Sequence, residues 1–233
     1  MNLFGSVLLL CLVARTALGF IVPSKDAWGL REGSARFMFG KMFEEDGPLG
    51  KGITVGKVQV ALMTSDRSKN SIFGTLKRIT DDAGSTQYDL ACMAQAVCLD
   101  LLRRSDDWVA ASSTSKWFKE SDSGRAESTF NDWANRETVK FENEYIPDTK
   151  EKGAPTTVVV SVLIEICGDN TDFEGAGFSI AETREVLQSI ASNVMVEDGD
   201  FVNAVEIFWA PGDSEEVLSQ QDLIIDFPEL VTL

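Results

Sequence analysis

Residues Thr156–Ile166 read TTVVVSVLIEI. Most of these side chains are β-branched or bulky, and apolar residues occupy both alternating sets at the centre of the run. Successive side chains of a strand point to opposite faces, so a segment apolar on both sides belongs in the middle of a sheet. Upstream, Lys57–Thr64 (KVQVALMT) alternates with β-branched residues and predicts a second strand, and Phe201–Trp209 (FVNAVEIFW) predicts a third. Between the first two, helical spacing recurs. Ile72, Leu76 and Ile79 mark Ser68–Asp82, which Gly84 ends. Leu90, Ala94, Val97 and Leu101 stripe Gln87–Arg104, the clearest helix. Phe130, Trp133, Ala134, Phe141 and Tyr145 anchor Ser123–Tyr145. Trp108, Trp117 and Phe118 fall in a Ser-rich connection. Downstream, Ser179–Glu182 has the form of a capping box opening a helix to Val194, and Ser219–Asp222 is a weaker version opening a short helix that Pro228 stops. The expected order is β-α-α-α-β-α-β-α. It describes an α+β domain with a small three-stranded sheet, helices mainly on one face, and a β-α-β portion suited to a right-handed parallel crossover.

The chain has 233 residues, 37 acidic and 21 basic, with no histidine. The missing imidazole excludes Ser-His-Asp and Cys-His catalysis, HExxH zinc sites and His-ligated haem. From Gly153 to Leu233 there are 16 acidic residues and one basic residue, Arg184, a net of −15. So acidic a stretch repels phosphate backbones, which argues against nucleic acid, and it avoids anionic lipid. It serves solubility or offers a docking face to a basic partner.

Residues 1–19 form an apolar leader too short to span a membrane, with Ala17 and Gly19 as the small residues of a signal-peptide cleavage site. Phe20 follows, and Ser24–Phe43 carries four basic against two acidic residues. The Gly19–Phe20 junction resembles the bipartite leaders of algae with red-lineage plastids. Plain secretion is the alternative, although the three cysteines beyond the leader, Cys92, Cys98 and Cys167, form no disulfide framework. Residues 20–55 then read as a transit-like segment and a Gly-rich linker, and 56–233 as one domain.

Chemical fingerprints are sparse. No GxGxxG or P-loop pattern is present, so no nucleotide cofactor is expected. Cys167–Gly177 (CGDNTDFEGAG) is an acidic loop with the look of a calcium loop, but Phe173 takes a ligand position and the glycine is displaced. No metal is expected either. Glu165 and Glu206 lie within strands, where a carboxylate points to solvent or joins a site assembled by the fold.

The DLACMAQAVCLDLLRRSDDW helix, the FNDWANRETVKFENE helix, the TTVVVSVLIEICGD strand and the ending NAVEIFWAPGDSEEVLSQQDLIIDFPEL together resemble the domain-of-unknown-function 1517 family. The matching positions are Val205, Glu206, Trp209, Pro211, Leu218, Ser219, Leu223, Pro228 and Leu230, and the resemblance spans about Lys57 to Leu233. The family belongs to oxygenic phototrophs and includes plant fluctuating-light acclimation proteins. The resemblance implies a non-enzymatic plastid protein that regulates light acclimation, through non-photochemical quenching and the thylakoid proton gradient, by binding partners in the photosynthetic apparatus. It supplies no catalytic, cofactor or metal residue. Family members usually carry an apolar membrane segment just before the domain, and residues 24–56 hold none. The expected membrane association is therefore peripheral at most, at the stroma or thylakoid surface. The acidic face and the Trp209–Ala210–Pro211 turn are the expected contact regions, with Glu206, Leu218, Ser219, Pro228 and Leu230 as motif residues that serve either contact or core. Two rivals stay open: an enzyme built on Glu165, Glu206 or Cys167, and a pigment or small-molecule carrier using the Trp-rich helices.

Overall fold

A computed structural model describes residues 47–140, 155–212 and 216–233. Gly19, Phe20 and the whole leader lie outside the described residues, as do Phe141 and Tyr145. In chain order the elements are β1 (Ile53–Thr64), α1 (Ile72–Asp81), α2 (Gln87–Arg103), β2 (Trp108–Phe118), α3 (Ser123–Lys140), β3 (Thr156–Cys167), α4 (Ile180–Asn193), β4 (Val202–Ala210), α5 (Gln220–Asp226) and β5 (Val231–Thr232). β1 begins before Gly56, and the turn ahead of it packs inward through buried Leu49, whose carbonyl accepts from the Asp169 and Asn170 amides.

The sheet has five strands in the order β4-β3-β1-β2-β5, and every pairing is antiparallel. This corrects the expected three-stranded sheet and its element order. The strand that sequence reading passes over is β2, whose Ser112, Ser113, Thr114 and Ser115 give it the composition of a connection. Two of its hydroxyls are spent inside the fold: Ser112 Oγ donates to Gln59 Oε1, and Ser113 Oγ accepts from the Ala176 amide. β5 is two residues long and pairs with β2 at Ala110 and Ala111. The parallel crossover is likewise replaced. The chain leaves β3 at Cys167, crosses one face as a loop and α4, and re-enters beside its exit, where Val202 pairs with Ile166. An antiparallel return of this kind needs no crossover to the far end of the sheet.

Helices cover both faces, which corrects the one-sided packing. The even positions of β1 and β3 (Val58, Val60, Leu62; Val158 through Ile166) and Val205, Ile207 and Trp209 of β4 face α1, α2 and α4. The opposite positions, Val55, Ala61, Val159, Leu163, Ala204 and Phe208, face Ala126, Phe130 and Ala134 of α3, with Leu218 and Phe227 beside them. β3 is central as expected, and eleven of its twelve residues are buried. On the first face Gly56 leaves room for Phe173, whose ring would lie 2.3 Å from any Cβ there. The acidic loop is thereby pinned to the sheet by the aromatic residue that spoils its resemblance to a calcium loop.

Candidate functional site

The second face holds the most concentrated polar chemistry. Lys57 and Gln59 are successive inward positions of β1 on this side. Gln59 stands in register with Ser112 of β2 and Ser161 of β3, so one polar row crosses three strands. Gln59, Ser161 and Glu137 are at most 1% exposed. Glu137 comes from α3, where it continues the stripe of Ala126, Phe130 and Ala134 and so descends onto the row.

Every polar atom at the centre of this cluster is satisfied. Glu137 Oε2 accepts from Gln59 Nε2 and from Ser161 Oγ, both at 3.0 Å. Glu137 Oε1 accepts from Lys57 Nζ at 2.6 Å and Lys140 Nζ at 3.3 Å. Lys140 also bonds Glu229, and Lys57 lies 3.7 Å from the same carboxylate oxygen. The four charges form a closed ring of alternating sign that ties β1, the last turn of α3 and the segment after α5 together. Burial pushes the Glu229 carboxyl up, but the Lys140 hydrogen bond and the two ammonium charges hold it below the usual carboxylate range. Lys140 further stacks over the Phe227 ring, 4.9 Å from its centroid. Above the ring opens a pocket of about 540 Å³. Its walls include Ser112, Thr114, Trp133 and Arg136 besides the ring residues. The volume is within the range of small-molecule pockets, while the wall is polar and charged apart from Trp133.

A second polar feature lies farther along the same face. Glu165 pairs in register with Ala204, and Glu206 with Leu163, so the two carboxylates are diagonal neighbours on β3 and β4. Glu165 Oε1 accepts from Asn203, while Glu165 Oε2 and Glu206 Oε2 are buried with no hydrogen-bond partner. Burial raises the Glu165 carboxyl and pushes Glu206 up to about 7. Both glutamates thus sit on an interior face beneath α3, away from the solvent-pointing alternative. The pocket above the ring is lined by other residues, and so is a smaller one of about 300 Å³ between the end of α1 and the start of α2.

The remaining sequence-derived positions are dispersed. Trp209 and Leu218 are buried, Trp209 under the helices of the first face and Leu218 on the second. Pro211 is buried after a cis peptide bond. The Leu218 amide donates to Thr156 Oγ1, tacking this segment to the start of β3. Ser219 caps α5: its Oγ accepts from the Asp222 amide, and Asp222 Oδ2 accepts from the Ser219 amide. Leu223 and Leu230 are half-buried against the second-face core, and Pro228 is exposed. Of the tryptophans, Trp108 and Trp117 stand on β2, and only Trp133 among the three on these central elements lies on a helix. Cys92 and Cys167 are half-buried, and Cys98 is fully buried with its thiol pushed up to about 12. Among the described residues no group of three His, Cys, Asp or Glu is placed to hold a metal ion. No helix among them is long and apolar enough to cross a membrane.

Sequence reading missed Lys57, Gln59, Glu137, Lys140 and Glu229 as a group. A signal was present. Lys57 and Gln59 interrupt one face of β1, Ser161 interrupts the apolar centre of β3, and Glu137 interrupts the buried stripe of α3. Polar residues that break apolar stripes on three elements must find one another or remain unsatisfied.

Comparison with known proteins adds one relative. Over 199 residues the chain is 24% identical to Protein FLAP1 homolog A of the cyanobacterium Synechocystis sp., covering 76% of this chain and 56% of that protein. The chain therefore spans little more than half the length of this relative. No solved structure matches it. The family described as Protein of unknown function (DUF1517) matches residues 52–233, from the start of β1 through β5. By that match over the whole described domain, the chain belongs to the DUF1517 family.

Proposed function

We propose that this is a non-enzymatic plastid protein that acts in the acclimation of photosynthesis to changing light, through protein partners. The observation that carries the reading is its similarity to FLAP1 homolog A, a fluctuating-light acclimation homologue from an oxygenic phototroph. The Gly19–Phe20 leader supports the plastid setting independently, through its likeness to leaders of red-lineage plastids. The chemistry of the fold is compatible. The most deeply bonded carboxylate of the second face, Glu137, is committed with both oxygens to structural partners, and burial pushes the Cys98 thiol up to about 12. Disruption of the gene in an alga with red-lineage plastids, followed by alternating low and high light, tests the proposal. The expected result is altered kinetics of chlorophyll-fluorescence quenching, restored by the wild-type chain, with a C-terminally tagged copy in the plastid. Wild-type quenching in the disrupted strain, or a secreted tagged copy, would withdraw it.

A second reading, an enzyme with a fold-assembled carboxylate, draws on the two unpaired oxygens of Glu165 and Glu206. Full restoration of quenching by a copy carrying both Glu165→Gln and Glu206→Gln would remove that reading.

A further inference from the structure

The pocket above the charge ring has more hydrogen-bond donors than acceptors, and the imbalance identifies the kind of ligand it suits. Glu137 has both oxygens engaged. Both amide protons of Gln59 are committed, to Glu137 and Ser161, and its carbonyl oxygen is taken by Ser112. The donors are less fully used. An ammonium has three N–H groups and a guanidinium five. Among the described residues Lys57 makes one hydrogen bond, to Glu137, and Lys140 makes two, to Glu137 and Glu229. Arg136 is exposed at the pocket wall and makes no ion pair or hydrogen bond among the described residues. Three cations therefore meet two carboxylates in a chain whose net charge is −16. Local positive charge in so acidic a protein is the opposite of what composition alone would place there. Lys57 and Lys140 both line the pocket and retain 14% and 19% side-chain exposure.

We propose that this pocket binds a small molecule through an oxyanion, a carboxylate or a phosphate, which accepts from Lys57, Lys140 and Arg136 while its body lies against Trp133. An oxyanion supplies the acceptors the site lacks, and charge-assisted bonds to ammonium and guanidinium groups are the stronger kind. The site lies beside the row that crosses β1, β2 and β3, and apart from Glu229 its lining residues come from β1, β2 and α3. The inference does not rest on the light-acclimation reading and holds or fails independently of it.

Calorimetric titration of the full chain with inorganic phosphate and, separately, with acetate tests it, at an ionic strength held constant with sodium chloride. Saturable binding of at least one probe is expected, with shifts of the Ser112–Thr114 amides and the Trp133 indole in heteronuclear NMR spectra. Arg136→Gln removes an exposed side chain outside the ring, so it is expected to weaken binding at least tenfold while leaving the thermal unfolding midpoint unchanged. A preference for phosphate assigns a phosphate-bearing ligand, a preference for acetate assigns a carboxylate, and equal binding supports the shared oxyanion chemistry. No saturable binding of either probe overturns the proposal. So does undiminished binding by Arg136→Gln, or amide shifts confined to residues elsewhere.

Discussion

The two faces of the sheet share the same strands and solve different problems. Beneath α1, α2 and α4, the central strand positions are Val, Leu, Ile and Trp, packed against Leu101, Leu187 and Ile190. Beneath α3, the same strands turn Lys57, Gln59, Ser161, Glu165 and Glu206 toward the interior. The first face is held by area removed from water, which is non-directional and tolerant of repacking. The second is held in part by directional bonds that are costly when half-made. Core strength and site chemistry are thereby assigned to opposite sides of one sheet, and a change on one side need not disturb the other.

Removing a single partner from the charge ring tests this division most strongly. Glu137→Ala strands two lysines and leaves Gln59 and Ser161 short of an acceptor, and is expected to cost about 4 kcal/mol in urea denaturation. A loss below about 1 kcal/mol would mean that the ring is not what secures α3. On the opposite face, Leu187→Ala is expected to cost about 3 kcal/mol through lost burial and a residual cavity. It should leave the unfolding of the second face cooperative with the rest, and a separate transition there would show that the faces are not one unit.

Glu206 sharpens the comparison through pH. Its folded-state pKa is raised, so its contribution to stability is fully present below the unfolded value of 4.5 and is lost as pH rises through about 7. Glu206→Gln should therefore flatten the stability profile between those limits and leave the variant about 2 kcal/mol more stable at pH 8, a figure discounted for partial solvation. A variant that parallels the wild type at every pH would refute this. Glu229 has the opposite sign: its lowered pKa contributes stability above the ordinary carboxylate range, and that contribution is lost on acidification. The smallest effect compares two capping boxes of the same chemistry, Thr86–Asp89 on α2 and Ser219–Asp222 on α5. Thr86→Ala and Ser219→Ala should each cost about 1 kcal/mol by thermal unfolding. A much smaller value for Ser219 would show that α5 is held by Leu223 and Phe227 alone.

The elements with strong periodicity were legible in the sequence. α2, α4 and β3 fall within a residue or so of their expected limits, because apolar spacing and caps act locally. β2 was hidden because its middle is Ser and Thr. Such residues become strand residues only when neighbours pair with their backbone and bond their hydroxyls, as β1 does by accepting from Ser112 and the Ala176 amide does by donating to Ser113, and both lie far away in sequence. The pairing direction of β3 and β4 was hidden for a related reason, since a helix between two strands is compatible with either direction until the return point is known. The site was half visible. Each polar residue that breaks a stripe can be read locally, but that Glu137 meets Gln59 and Ser161 follows only from placing α3 across β1 and β3.

The burial of β3 has a consequence for how the chain reaches its native state. Its partner β1 lies about a hundred residues earlier, with Val60 opposite Val160 and Ile53 opposite Cys167. The central ladder can form only after a long loop closes, which places the protein among slow folders of high contact order. Until then the edge of Thr156–Ile164 that β1 will cover, in an uncharged, proline-free, β-prone segment paired only on its β4 side, is open to another copy of itself. Glu165, the one charge in the strand, stands at its end as the nearest gatekeeper. During refolding at high concentration, this chain should lose material by association through that segment before the helices have a sheet to cover.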